Sequence, residues 1–176
     1  PIQDFFANYP DFEYNSKAPF LSEFKRMGKD LGWKTKEREA AMDDLRDAMV
    51  KQFNAMYGTR VDALESWRLL CSALGMNPAP KDIKKCHRVI ISAHVNLVDL
   101  IEAPLSGQSV QTFDSEIELS AYTKPLRKYF PRNNVNTGSL LRYLLRQIKK
   151  PHPRRRRGDG KSPRKATAGK ATTLPT

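Results

Sequence analysis

Cysteines and long apolar runs are both scarce in this chain of 176 residues. Its two cysteines, Cys71 and Cys86, fall on predicted apolar helix faces, which favours buried free thiols over a disulfide. No window approaches the roughly 18 apolar residues that a membrane-spanning helix needs. The first residues also lack the basic start and apolar run of a signal peptide. We therefore expect a reducing compartment and no membrane partner.

Sequence motifs for catalysis and for metal or cofactor binding are missing as well. The chain has no P-loop, no G-x-G-x-x-G after a strand, no H-E-x-x-H, and no Cys or His pair at zinc spacing. A Cys–His nucleophile pair involving His94 would place its thiol on an apolar face, where a thiol is inert. The sequence thus predicts a protein that is not an enzyme and that uses neither a metal nor a cofactor.

Acidic residues almost disappear towards the C-terminus. Residues 149–176 hold ten Lys or Arg and one acid, so they carry nine of the twelve net positive charges. Such a segment cannot bury enough apolar surface to offset the entropy of its chain. We therefore predict a disordered basic tail over residues 149–176 and a helical domain over residues 1–148.

Apolar residues recur at helical spacing through most of the chain before the tail. The most hydrophobic region, 61–103, predicts two helices joined by a proline-rich turn, the second ending before Pro104. Four further helices are predicted within 19–32, 35–58, 114–123 and 137–150. No pair of strands joined by a hairpin turn is evident. The predicted fold class is all-α, a compact bundle of five to seven helices with a disordered basic C-terminal tail.

Two glycines are predicted to end helices, because glycine readily adopts the left-handed conformation found there. They are Gly32 and Gly58, and Trp33 after the first is expected to fold back onto the core. The helix before Gly58 carries an apolar stripe of Met42, Leu45, Met49, Phe53 and Met56. This stripe predicts a core face, with an adaptable binding face as the alternative.

The two ends of the predicted domain are less regular. Residues 1–19 are rich in aromatics without a helical period, which predicts an ordered but irregular arm packed on the helical body; a peptide that docks on a partner is the alternative. In the last predicted helix, five residues are expected to face inward: Leu140, Leu141, Leu144, Leu145 and Ile148. Four are expected to face solvent: Arg142, Arg146, Lys149 and Lys150.

The tail carries the most specific functional pattern of the sequence. Its basic residues are Arg154, Arg155, Arg156, Arg157, Lys161, Arg164 and Lys165. A cluster of this kind suits a nuclear import receptor or the phosphates of nucleic acid, with binding that depends strongly on salt and little on sequence. A solvated tail that only keeps the protein soluble is the alternative.

A proline follows Ser162 within this basic tail. The segment 162–165 resembles both the S/T-P-x-K site of proline-directed kinases and the SPxK minor-groove element of histone tails. Phosphorylation of Ser162 would add about −1.5 to −2 charges among the arginines and weaken either contact. Ser162 is therefore a candidate phosphorylation site.

The two helices of region 61–103 also permit a second hypothesis. Lys84, Lys85 and Arg88 lie early in the second helix, where the recognition helix of a DNA-binding helix-turn-helix contacts bases and phosphates. The intervening turn is about two residues too long for the compact motif. An ordinary helical hairpin fits the same pattern.

Short motifs spread along the chain resemble a group of small fungal all-helical proteins that have no assigned activity. These motifs are F-x-Y at 12–14, EF at 23–24, GW at 32–33, YG at 57–58, WRLLC at 67–71 and VNLVDLI at 95–101. The resemblance implies a eukaryotic source, in which a nuclear role for the tail is plausible.

Three functions are thus expected, in decreasing order of support. The first is a non-enzymatic nuclear protein-interaction domain, with a protein partner yet to be identified and a tail that serves import and weak sequence-independent nucleic-acid contact. The second is a sequence-specific DNA-binding protein that reads through Lys84, Lys85 and Arg88. The third is a cytoplasmic interaction module whose tail is incidental.

Overall fold

The computed structural model describes residues 1–131, 140–146, 148–149 and 151. Seven α-helices and a two-stranded sheet occur in this part of the chain, which confirms the all-α class. The helices are α1 (Ile2–Ala7), α2 (Phe20–Asp30), α3 (Thr35–Tyr57), α4 (Leu64–Ala73), α5 (Ile83–Ser92), α6 (Leu97–Leu105) and α7 (Glu116–Leu126). Strands β1 (His94–Val95) and β2 (Thr112–Phe113) pair antiparallel, and a 3-10 helix covers Leu140–Tyr143.

Helix α3 is the central element of the fold: α1, α4, α6 and the 3-10 helix pack against it, and α5 packs on α4. The predicted stripe supplies this contact, since Leu45, Met49 and Phe53 are almost completely buried. Helix α6 is buried on most of its surface, as its nearly continuous apolar sequence requires. None of the helices in the described part is long and apolar enough to cross a membrane.

The predicted second helix of region 61–103 is in fact two helices, so that prediction was wrong. The chain leaves α5 at Ala93, which has extended backbone angles, and starts α6 after Asn96. The Asn96 side chain accepts hydrogen bonds from the backbone N–H of Val98 (2.9 Å) and Asp99 (3.4 Å). Asparagine is a favoured N-cap, and here it begins a new helix within one hydrophobic stretch.

Helix α6 also continues past Pro104, where it was predicted to stop. Proline has no N–H to donate to the carbonyl four residues earlier, which is that of Leu100. The hydroxyl of Tyr57 on α3 donates to this carbonyl instead, at 2.8 Å. Burial of that hydroxyl raises the pKa of Tyr57 to about 12. A tertiary contact therefore satisfies the backbone group that proline leaves unpaired.

The two ends of the domain also differ from prediction. Residues 2–7 form a helix rather than an irregular arm, because Ile2, Phe5 and Phe6 bury one face of it in the core. Among the described residues of the last predicted helix, 140–143 form the 3-10 turn and 144–146 are not helical. Arg146, expected to face solvent, is directed inward and donates to the carbonyls of Ile91 (2.6 Å) and Ala93 (3.2 Å).

Several other predictions are confirmed by the packing. Gly32 and Gly58 follow α2 and α3 with positive φ angles of 63° and 79°. Cys71 and Cys86 are buried free thiols. Burial raises the pKa of the Cys71 thiol, which keeps it protonated and unreactive.

Replacing Gly58 with alanine is expected to lower the free energy of unfolding by roughly 2–4 kcal/mol. Its backbone angles, φ 79° and ψ 175°, suit glycine alone, and an added Cβ would lie 2.5 Å from the Ser66 hydroxyl oxygen. Urea unfolding followed by circular dichroism measures the loss. Gly32→Ala is the matched control, because it also has positive φ but would meet no atom within 4 Å. Equal losses in the two variants would contradict the proposed clash, and Ser66→Ala should partly rescue Gly58→Ala.

Candidate functional site

Of the residues that the sequence singled out, those of the α5 hypothesis lie in the described structure and those of the tail do not. Lys84, Lys85 and Arg88 are exposed on the outer face of α5, and Lys85 forms an ion pair with Asp82 at 3.4 Å. The connection from α4 to α5 spans 74–82, longer than the three- to four-residue turn of a helix-turn-helix. The predicted tail sites lie outside the described residues; they are Arg154, Arg155, Arg156, Arg157, Lys161, Ser162, Arg164 and Lys165.

A groove that the sequence did not single out is lined by α2, α3 and the C-terminus of α7. Its volume is about 1220 Å³. We call it the α2–α3 groove. Its walls and floor comprise Leu21, Phe24, Lys25, Gly28, Lys29, Gly32, Trp33, Arg38, Glu39, Met42, Asp43, Arg46, Leu126 and Arg127.

The floor of the α2–α3 groove is apolar. Trp33 lies half-buried there, after the Gly32 turn, and its ring contacts those of Tyr9 (centroids 5.2 Å apart) and Phe24 (5.6 Å). Gly28 makes room for the indole, since a Cβ at that position would lie 3.2 Å from it. The expectation that Trp33 folds back onto the core is thus confirmed, and one part of the ring still lines the groove.

The rim of the groove is rich in exposed cations. Lys25 and Lys29 stand one helical turn apart on α2, and Arg38 of α3 lines the same groove, with its Cδ 3.8 Å from where a Cβ at Gly28 would lie. The other arginine of the α3 wall, Arg46, is ion-paired with Asp43 at 2.6 Å. These side chains give the rim a net positive charge above an apolar floor.

Arg127, which lines the groove just after α7, has an unusual backbone conformation. It caps α7 with φ 53° and ψ 29°, the left-handed region that glycine usually occupies. This conformation costs a residue with a side chain about 1–2 kcal/mol. The chain therefore places a guanidinium at the groove where glycine would be the more stable cap.

A second cavity, of about 1230 Å³, lies on the other side of Arg127 between α3 and the end of α7. Its α3 wall carries the exposed acids Asp43, Asp44 and Asp47. Met42 lines both cavities, so the α3 stripe that was predicted to be core also reaches the surface at its first residue.

A buried polar network fixes the end of α7 relative to α6. The Asn96 amide donates to the Thr123 hydroxyl (2.9 Å) and to the Lys128 carbonyl (3.0 Å). The ammonium of Lys128 contacts Asp99 at 2.5 Å and Glu102 at 3.3 Å. Burial alone would lower the pKa of Lys128, but its hydrogen bond to Asp99 and the two nearby carboxylates raise it overall. Lys128 is thus held charged, and the position of its neighbour Arg127 is set.

Metal-binding and nucleophilic chemistry find little support in the described part of the chain. No group of three or more His, Cys, Asp or Glu side chains there could hold a metal ion. His87 packs edge-on between the rings of Trp67 and Tyr143, with centroids 5.2 and 4.9 Å away. The groove instead offers apolar contact and positive charge, which are properties of a binding surface.

Sequence reasoning missed the groove although part of the signal was present. Lys25 and Lys29 stand at i, i+4 on the polar side of a predicted helix, a pattern shared by most solvated helix faces. Their relation to Arg38 and Arg127 depends on how α2, α3 and α7 pack.

Comparison with known proteins adds no assignment, since no family model, curated protein or solved structure matches the chain. The resemblance to fungal helical proteins stays a prediction.

Proposed function

We propose that this chain is a non-enzymatic nuclear protein-interaction domain. Its helical body binds a protein partner in the α2–α3 groove. Its basic tail serves recognition by a nuclear import receptor and weak, sequence-independent contact with nucleic acid.

The observation that carries the proposal is the composition of the α2–α3 groove. Protein interfaces combine an apolar centre with a polar rim, and aromatic and Arg side chains are enriched in them. The half-buried Trp33 on the floor and the exposed Arg38 on the rim fit this pattern. Trp33 is packed against the core and Arg38 belongs to the core-packed helix α3, so binding would cost little backbone conformational entropy.

Site-specific photo-crosslinking in eukaryotic cells tests the interaction. The full chain would carry a photoreactive amino acid in place of Lys29 in one version and in place of Lys84 in the other. We expect a discrete adduct, at one mass and reproducible, from position 29 and not from position 84. The same adducts from both positions would contradict a partner in the groove.

Sequence-specific DNA binding is the second candidate, since Lys84, Lys85 and Arg88 are exposed on one helix. Full-length protein with Arg154–157 changed to Gln separates it from the main proposal. We expect the wild type to bind duplex DNA at low salt, to release it at physiological salt, and to lose this binding in the tail variant. Retained binding with a preference among DNA sequences, abolished by Lys84→Gln and Lys85→Gln, would instead support the DNA-reading function.

Localisation distinguishes the cytoplasmic alternative. A fluorescent fusion of the full chain is expected to accumulate in the nucleus, and the Arg154–157→Gln fusion is expected to do so less. Equal distribution of the two fusions would indicate that the tail is incidental.

A further inference from the structure

Charge and apolar surface are arranged along the α2–α3 groove in a way that selects one kind of occupant. Excluding the paired Asp43 and Arg46, four cations face a single acid, Glu39; the cations are Lys25, Lys29, Arg38 and Arg127. An occupant must therefore supply negative charge at its edges. The floor below the rim is apolar, so the same occupant must supply an apolar face.

The length of the groove matches a short helix. Helix α2 lines it from Leu21 to Lys29, and at 1.5 Å per residue this wall is about 12 Å long. Two turns of an α-helix span about that distance, which is enough for apolar residues at i, i+3, i+4 and i+7. Leu126, which is about half exposed and lines the same groove, extends the apolar floor.

We propose that the α2–α3 groove binds an acidic amphipathic helix of a partner protein. Apolar residues at i, i+3, i+4 and i+7 contact Trp33 and Met42 on the floor, and flanking Glu or Asp residues face Lys25 and Lys29 on the rim. Helix-in-groove recognition commonly uses this spacing. The inference rests on the proposed interaction function and names the chemistry of its partner.

Nucleic acid fits the groove less well, although it too is anionic. Single-stranded nucleic acid stacks successive bases on several aromatic side chains. Trp33 is the one partly exposed aromatic ring that lines the groove in the described part of the chain, since Phe24 is buried. The remaining floor is aliphatic or Met, which favours apolar side chains over a sugar–phosphate backbone.

Fluorescence anisotropy of a labelled synthetic peptide tests the inference with the full-length protein. The probe is an 18-residue helix with leucines at the stated spacing and glutamates on its flanks. A scrambled peptide of the same composition is the control for overall charge, because the basic tail attracts any acidic peptide equally. We expect the amphipathic peptide to bind about tenfold more tightly than the scrambled one at physiological salt.

Matched protein variants locate the binding. Lys25→Ala with Lys29→Ala is expected to weaken the amphipathic peptide about tenfold, whereas Lys84→Ala with Lys85→Ala, the same charge change on α5, leaves it unchanged. Arg127→Gly is expected to lower the affinity for the amphipathic peptide about threefold. The melting temperature of this variant protein should equal or exceed that of the wild type, because glycine relieves the left-handed strain. A purely structural role for Arg127 would lower stability and binding together.

Four results would overturn the inference, and the last of them leaves the proposed interaction function standing. The first is equal affinity for the amphipathic and scrambled peptides, and the second is an equal loss of affinity in the α2 and α5 variants. The third is a full chain that binds single-stranded DNA through Lys25 and Lys29 but not the peptide. A discrete crosslinked adduct from position 29 without peptide binding would refute only the acidic helix and leave the proposed interaction function standing.

Discussion

Replacing Lys128 with methionine is expected to lower the free energy of unfolding by about 3–5 kcal/mol at pH 7. The ammonium lies between Asp99 and Glu102, whose side chains are only 11% and 15% exposed. Without it, two carboxylates remain buried near each other with no compensating charge. Breaking a buried ion pair from one side costs far more than the intact pair contributes.

The stability lost in Lys128→Met should become smaller as the pH falls. Burial raises the pKa of Glu102, and the positive charge of Lys128 opposes this rise. In Lys128→Met the opposition is gone, so the folded-state pKa of Glu102 rises further above the unfolded value. Between these two values the folded protein binds more protons than the unfolded chain, and its stability therefore falls as pH rises. The deficit relative to wild type should shrink as pH falls from 7 towards 4.5, the ordinary value for Glu.

Urea unfolding at a series of pH values measures both effects. Lys124→Met is the matched control, because this substitution removes the same charge from a side chain that is exposed on the last turn of α7. The free energy of unfolding of Lys124→Met should differ from that of the wild type by no more than about 0.5 kcal/mol. Similar unfolding curves for the two variants would contradict the role assigned to Lys128.

Replacing Trp67 with alanine is expected to lower the free energy of unfolding by about 3–5 kcal/mol. Its side chain on α4 is 2% exposed, and its indole N–H donates to the Val61 carbonyl at 2.8 Å. Its ring also packs edge-on against His87 of α5 and Tyr143 of the 3-10 helix. The variant therefore leaves a cavity where three parts of the chain meet.

Two further variants separate the contributions of Trp67. Trp67→Phe retains an aromatic ring but no donor for Val61, so a loss of about 1–2 kcal/mol is expected. Leu69→Ala on the same helix is the control for helix propensity, since Leu69 is 44% exposed and should cost less than about 1 kcal/mol. Chemical unfolding followed by circular dichroism compares them. A loss in Trp67→Ala no larger than in Leu69→Ala would contradict the central position of this side chain.

The helices themselves were largely predictable because the information that specifies them is local. Apolar spacing identified the core face of α3, and glycines at Gly32 and Gly58 identified helix ends, since few other residues adopt their positive φ angles. The N-terminal helix was missed: Ile2, Phe5 and Phe6 have helical spacing, but residues 1–19 taken together have no helical period, which favoured an irregular arm. The uneven distribution of charge is likewise a property of the sequence alone.

The break at Asn96 and the continuation past Pro104 depend on contacts between distant residues. Asn96 ends one helical stretch because its side chain both caps α6 and bonds to α7 at Thr123. Pro104 is accepted because Tyr57, 47 residues earlier, supplies the missing donor to Leu100. A hydrophobic pattern records which face is buried and carries no information about such partners.

The sequence by itself determined the all-α class, the core stripes, the buried thiols and the charge imbalance between the two ends of the chain. Only the tertiary structure brought Lys25 and Lys29 of α2, Arg38 of α3 and Arg127 after α7 to the same groove. The physical reason is that local spacing determines what one helix exposes and buries. A groove is formed by the exposed faces of several helices, and their relative positions are set by packing across the whole core.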